Sequence, residues 1–185
     1  MKKMKTLFRR DFKAQSKALP EVEPECEWVL AGEGVATRKL DGTCAKVGGG
    51  RLYRRYDAKA GKQPPPEFEP ADVPDPVTGH WPGWLPIGAG SEDQYFREAW
   101  TSACELGQPG DGTYELCGPK VQGNPEGYAS HVLVRHGSIL EPDCPRSFEE
   151  LKAWLYERSI EGVVWHHPDG RMVKLKRSDF HKSRR

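Results

Sequence analysis

The chain has 185 residues and a mass of 20.8 kDa, room for one domain of ordinary size able to bury about 70% of its unfolded surface, and no room for a second large module. Hydrophobic residues make up 36% and include six Trp, so a packed core is expected, and the mean hydropathy of -0.75 describes a wet surface and loops rather than a disordered chain. The net charge of +1 hides an uneven distribution: residues 1–17 and 171–185 each carry seven basic groups and one acid, whereas residues 61–170 carry seven basic and eighteen acidic groups.

Polyanion contact is therefore expected at both ends and around residues 38–59, where Arg38, Lys46, Arg51, Arg54, Arg55 and Lys59 cluster. Cys26, Cys44, Cys104, Cys117 and Cys144 are odd in number and form no CxxC, which argues against a disulfide scaffold and for a reducing, cytoplasmic setting. No run reaches the roughly 18 apolar residues of a membrane span. His166 and His167 are adjacent, but no cysteine pair completes a structural zinc set, so zinc is not expected.

In chain order, residues 1–27 read as an N-terminal extension, a basic and partly helical lead-in followed by an acidic stretch interrupted by Pro24. From Trp28 to residue 185 the pattern is that of one domain. Residues 35–40 and 43–47 are strand-like on either side of Asp41-Gly42, a favoured two-residue hairpin turn, and residues 51–56 follow Gly48-Gly49-Gly50 as the next strand, giving an antiparallel meander. Thirteen prolines and glycines in residues 61–90 discourage regular structure, yet the Gly79 to Pro86 stretch is aromatic enough to predict an ordered loop packed on the domain. Ser91 with Gln94 has capping-box spacing ahead of a stripe of Tyr95, Phe96, Ala99, Trp100 and Ala103; Ser147 with Glu150 repeats it ahead of Phe148, Leu151, Trp154 and Leu155. Two helices follow from these stripes. Strands are expected at 114–117, 128–135, 161–166 and 171–176, the last two joined by a turn at Pro168-Asp169-Gly170. Alternation puts Val173 and Leu175 on one face and Lys174 and Lys176 on the other. Antiparallel strands with segregated helices favour an α+β fold, and the absence of G-x-G-x-x-G and G-x-x-x-x-G-K-[ST] removes the main support for Rossmann and P-loop readings.

A deprotonated lysine amine is a nucleophile, and the phosphorus of a nucleoside triphosphate is a suitable electrophile. Charge that builds on phosphoryl oxygens during transfer needs ammonium groups and a carboxylate-held magnesium ion nearby. Lys39, Lys174, Lys176 and Glu161 are able to supply that set.

The segments carrying these residues occur in a recognisable order. K39-L40-D41-G42 resembles the K-x-D-G motif of covalent nucleotidyltransferases, the superfamily of polynucleotide ligases and RNA capping enzymes. G112-T113-Y114-E115-L116-C117-G118 resembles the superfamily's middle motif, E161-G162-V163-V164 its E-G-x-V motif, and K174-L175-K176 its terminal Lys pair. With R54-R55-Y56-D57, G83-W84-L85-P86 and the run through R177-S178-D179-F180, the chain looks most like a small family of ATP-dependent RNA ligases that includes a vertebrate 5'-3' RNA ligase. The resemblance spans about residues 28–180. Other readings are a DNA ligase, a capping-type nucleotidyltransferase, and a noncatalytic RNA-binding protein on the same fold.

The resemblance implies a ligase-type adenylation domain; the OB domain that many ligases add is not expected at this length. It also implies the substrates: ATP, and RNA with 5'-phosphate and 3'-hydroxyl ends, with Mg2+ (or Mn2+) as cofactor. It makes Lys39 the carrier of AMP, Glu115 the acceptor for ribose hydroxyls, Glu161 the magnesium ligand, and Lys174 and Lys176 the grip on the phosphates. Asp41 and Gly42 would border the nucleotide, Gly42 by allowing close backbone approach. Arg38 adds charge beside the nucleophile, and either Arg54 or Arg55, but not both, enters the site, since neighbours on a strand face oppositely. Trp84 and Trp165 are candidates to stack on a base.

Overall fold

The computed structural model describes residues 4–11 and 17–180, and these fall into two compact units. The chain is α+β, with three helices and mostly antiparallel sheets among the described residues.

One unit is built from the described residues of 3–40 and 137–185. Its first elements are strands β1 (Lys5–Thr6), β2 (Phe8–Asp11) and β3 (Lys17–Val22), so the segment expected to be partly helical is extended wherever it is described. The reason lies in packing: β1 adds to the sheet edge in parallel with residues 173–174, and Leu7 and Phe8 are fully or almost fully buried. A one-turn helix α1 (Glu27–Leu30) buries Trp28 and Val29, and β4 (Val35–Lys39) follows. Later come α3 (Phe148–Tyr156), β11 (Gly162–His166) and β12 (Met172–Lys176), with β5 to β10 and α2 lying in the other unit. The sheet order is β1-β12-β11-β4, and the expected β11-β12 hairpin is present. One face of this sheet carries Ala36, Val163, Trp165, Val173 and Leu175 into a core shared with Leu7, Phe8, Val29, Leu151, Leu155 and Phe180. The N-cap of α3 is Ser147, whose hydroxyl bonds the Glu150 carboxylate instead of the helix's orphan N–H groups, so the expected capping box is not made.

The other unit is residues Asp41–His136 of the described chain. It contains β5 (Thr43–Gly48), β6 (Arg51–Ala58), β7 (Glu69–Pro70), β8 (Trp81–Pro86), α2 (Gln94–Glu105), β9 (Gly112–Cys117) and β10 (Val132–Arg135). The sheet order is β10-β9-β5-β6-β8-β7, antiparallel throughout. α2 packs across it, and Phe96 and Ala99 meet Ala45, Val47, Leu52, Tyr114, Leu116 and Val121.

Four expectations are corrected here. Asp41-Gly42 is not a hairpin turn: β4 pairs with β11, whereas β5 pairs with β6 and β9, so consecutive strands belong to different sheets. The requirement for glycine is tertiary, because a Cβ on Gly42 would lie 2.2 Å from the Leu116 carbonyl oxygen. Residues 61–90 are also more regular than their prolines suggest, since β8 is a full strand. The Pro82 carbonyl accepts from the Ala71 N–H, and the Ile87 N–H donates to Leu52, so the polar groups of even-numbered β8 residues point toward β7. β7 is only two residues long, and the missing N–H groups of Pro82 and Pro86 break little pairing there. Finally, the strand expected at 128–135 starts only at Val132, after turns at Gln122 and Asn124 with φ of 49° and 58°. The Asn124 side chain accepts from the Tyr128 N–H in that turn. At the start of α2, Ser91 opens a short 3-10 turn and makes no capping box; Asp93 instead accepts the Gly88 N–H and faces Arg54.

Candidate functional site

In the unit that contains β4, β11 and β12, the register puts Gly162 directly opposite Lys39 on one side and Lys176 on the other. One step along, Val164 lies opposite Thr37 and Lys174. Period two therefore sets Lys39, Lys174 and Lys176 on the sheet face opposite the core, as expected for the last two. Gly162 is needed between them, because a Cβ would meet the Leu175 carbonyl oxygen at 2.1 Å and the Lys176 Cα at 2.8 Å.

Glu161 sits at the head of β11 and its carboxylate is shared. Oε2 accepts from Lys39 Nζ, and Oε1 lies 2.5 Å from Lys176 Nζ. The Lys39 and Glu161 side chains keep only 18% and 15% of their exposure, so water screens this contact weakly. The carboxylate's own main chain is fixed by the Arg177 N–H, which donates to the Glu161 carbonyl at 2.8 Å. Lys174 is held below the usual lysine pKa, first by burial and then by the positive charges of Lys176, Lys39 and Arg10, partly offset by Asp179.

Two residues of this face carried no role in the sequence reading, or were missed. Asp179 is 4% exposed, accepts the Lys176 N–H at 2.8 Å and pairs with Arg10 at 2.5 Å, so it anchors the end of β12. Arg10 adds a cation from β2 that only the three-dimensional fold brings to Lys174. Their sequence separation of 169 residues explains why no local pattern signals the pair. Arg38 is placed differently from expectation, since it pairs with the buried Val163 and so points away from the lysine face.

In the unit of residues 41–136, the centre is Glu115 on β9. Its Oε1 accepts the Gly42 N–H at 3.1 Å, and its Oε2 lies 2.7 Å from His136 Nε2. The Asp41 N–H donates to Glu126 at 3.1 Å. Neither His136 nor Glu126 was singled out by the sequence. His136 follows β10, whose pairing of Val134 with Glu115 carries the imidazole to the carboxylate. The two arginines face oppositely, as expected: Arg54 stands opposite Ala45 on the α2 face, with Nε 2.9 Å from the buried Asp93 carboxylate, whereas Arg55 shares the face of Cys44 and Glu115. Arg55 lies over Trp84, 5.3 Å from the ring centroid. Trp84 is 3% exposed and Trp165 fully buried, so both indoles are core and neither is open to a base.

A magnesium ion suits Glu161: hard oxygen ligands are right for it, and an ion completed by phosphates and water needs only one or two protein carboxylates. The three-ligand cluster found among the described residues, Cys44, Glu115 and His136, is of a different, softer kind.

Lysines held around one carboxylate on a sheet face suit a phosphate-bearing ligand, because each ammonium group loses little by exchanging one anion for another. The comparisons with known proteins agree in kind. Residues 101–182 match the RNA ligase 1 family. The chain is 28% identical to RNA ligase 1 of mouse, covering 95% of this chain and 79% of the mouse protein, with the same figures for the rat protein. It is 26% identical to RNA ligase 1 of zebrafish over 77% of this chain and 66% of that protein. The aligned span with the mouse protein is 261 residues, longer than this chain, so the relative carries segments that this chain lacks. The resemblance to RNA ligases read from the motifs is thus borne out. No helix of the described residues is long and apolar enough to cross a membrane.

Proposed function

We propose that the chain is an ATP-dependent RNA ligase that joins 5'-phosphate and 3'-hydroxyl RNA ends, in a cytoplasmic RNA-repair role, on a ligase-type nucleotidyltransferase fold. The observation that carries the proposal is Lys39 and Lys176 held to one carboxylate, Glu161, with Lys174 on the same sheet face. The similarity to proteins named RNA ligase 1 supplies the substrate class.

In the first step the neutral Lys39 amine attacks the α-phosphorus of ATP; a P–N bond forms, the bond to the bridging oxygen breaks, and pyrophosphate leaves. In the second, an oxygen of an RNA 5'-phosphate takes the AMP and the P–N bond breaks. In the third, a 3'-hydroxyl attacks the activated 5'-phosphorus and AMP leaves. Glu161 would hold magnesium, which would supply charge neutralisation on the phosphates. Lys174 and Lys176 neutralise the α-phosphate and the leaving group, while Asp179 steadies the backbone under Lys176. From the other unit the reading assigns Glu115 to the ribose hydroxyls, Asp41 and Gly42 to close backbone approach, and Arg55 to sugar or phosphate.

Intact-mass spectrometry after incubation with ATP and magnesium tests the first step. The expected product is heavier by one AMP, stable to base and labile to acid. Matched RNA, DNA and chimeric strands then test the rest; faster sealing of all-DNA nicks than of every RNA substrate would overturn the RNA assignment and leave a DNA ligase.

A further inference from the structure

Glu115 has a second set of neighbours that the ligase reading does not use. β5 pairs with β9 so that Cys44 stands directly opposite Glu115, and β10 delivers His136 to the same carboxylate. The Cys44 Sγ, a Glu115 oxygen and a His136 ring nitrogen all lie within 4.8 Å of one another. Bonds of about 2.0 to 2.3 Å from one tetrahedral ion set its donor atoms about 3.3 to 3.8 Å apart, so an ion entering here opens the 2.7 Å contact between Glu115 and His136 and draws the wider ones in.

The surroundings are those of a held site. Glu115 Oε1 is tied to the Gly42 N–H, which orients the carboxylate and leaves Oε2 facing the imidazole. His136 is positioned by its main chain, whose N–H donates to the Thr113 carbonyl at 3.1 Å. Its Nδ1 is buried with no hydrogen-bond partner among the described residues, so the ring's specific contact is made through Nε2, toward Glu115. Of the supporting contacts that recur behind the donor atoms of metal sites, the carboxylate has one, from the Gly42 N–H, and the imidazole Nδ1 has none among the described residues.

The geometry points to a transition-metal site of the zinc class, with Cys44 thiolate, Glu115 carboxylate and His136 Nε2 as ligands and a fourth position open to solvent or substrate. A soft thiolate with an imidazole selects zinc or its cobalt and nickel analogues over magnesium. One thiolate and one carboxylate neutralise a divalent charge; binding breaks the hydrogen bond between His136 and Glu115 and releases the proton of the Cys44 thiol. If Glu115 is also the ribose acceptor of the proposed function, the ion and the nucleotide exclude each other there, and zinc is an inhibitor; this clause alone rests on the ligase reading.

The test is titration of the metal-free, reduced full chain with Co2+, followed by absorption. The expected result is a thiolate-to-cobalt charge-transfer band with the visible bands of a four-coordinate ion. Cys44→Ser should abolish the charge-transfer band, and His136→Gln should weaken Co2+ binding by about tenfold or more, since even supporting residues behind ligands are worth that much. Cys104→Ser, removing an exposed thiol, should leave the spectrum unchanged. No band in the wild type, or a band that survives Cys44→Ser or disappears with Cys104→Ser, overturns the site. Thermal melting with and without Zn2+ provides a second readout, as ligand binding to the folded state raises the midpoint of the wild type and not of Cys44→Ser. In the adenylation assay, zinc should slow the wild type relative to its zinc-free rate more than it slows Cys44→Ser relative to its own. Failure to form any AMP adduct without zinc would count against the ligase reading, while the cobalt spectrum decides the metal site regardless.

Discussion

The two units build their candidate residues by different means. On β4, β11 and β12 the lysines are distributed by strict alternation, cations on one face and Val163, Val173 and Leu175 in the core on the other, with one carboxylate shared by Lys39 and Lys176. Around Glu115 nothing is periodic: a glycine main chain, an imidazole from beyond a strand end and a thiol from the facing strand converge on one acceptor. The first arrangement neutralises anionic charge, whereas the second recognises donors. Deleting a side chain should therefore cost activity in the lysine set and stability in the Glu115 set.

The largest effect that would break this contrast is at Lys39. Lys39→Arg should reduce AMP-adduct formation by on the order of a thousandfold or more, since a guanidinium cannot replace the nucleophile, with little change in the urea midpoint. Intact mass and urea titration read the two sides, and equal adduct on both proteins would remove Lys39 from the chemistry. Next in size are the glycines, one from each unit. Gly162→Ala drives a methyl into the Leu175 carbonyl and Gly42→Ala into that of Leu116, so each should cost about 1 to 3 kcal/mol in urea unfolding, as overpacking does. Neither should be tolerated better than an alanine elsewhere on the surface.

Glu115→Ala sharpens the comparison from the other side. It leaves the Gly42 N–H and His136 without their acceptor, which should cost about 1 to 3 kcal/mol of stability in addition to weaker nucleotide binding. Denaturant unfolding with a nucleotide titration separates the two losses. The smallest effect is at Lys174. The folded protein releases this proton below the unfolded value of 10.5, so between the two pKa values the unfolded chain binds more protons and stability rises with pH. Lys174→Met should melt slightly higher at neutral pH, by about 2 °C or less, and the difference from wild type should close as the pH rises toward 10.5. A constant difference across that window would contradict the assigned cause.

The contrast also governs what the sequence revealed. Alternation is a local code, so the facing of Lys174, Lys176, Val173 and Leu175 and the β11-β12 hairpin were legible, as were the α2 and α3 stripes. Asp41-Gly42 misled because its turn chemistry is the same whether the next strand returns to its neighbour or departs for another sheet; only the Leu116 and Glu115 contacts explain the glycine. β8 was hidden by prolines whose missing donors fall on the side of a very short neighbour. His136 and Arg10 were invisible, and Asp179 stood in a motif without a role, because their partners lie 21 and 169 residues away and no spacing rule connects them. Trp84 and Trp165 show the reverse error, since an aromatic residue near functional motifs carries no sign of whether its face is open.

The pairing of both Lys39 and Lys176 with Gly162 has an entropic consequence. Strands lie about 4.8 Å apart, so the two lysine main chains are held about 10 Å from each other by the ladder itself, and Glu161 already holds both long side chains in one arrangement. Each such side chain carries about 2 kcal/mol of rotamer freedom. A phosphate arriving at these ammonium groups meets side chains that have lost much of that freedom in folding, and its arrival is an exchange of one anion for another in a preorganised receptor.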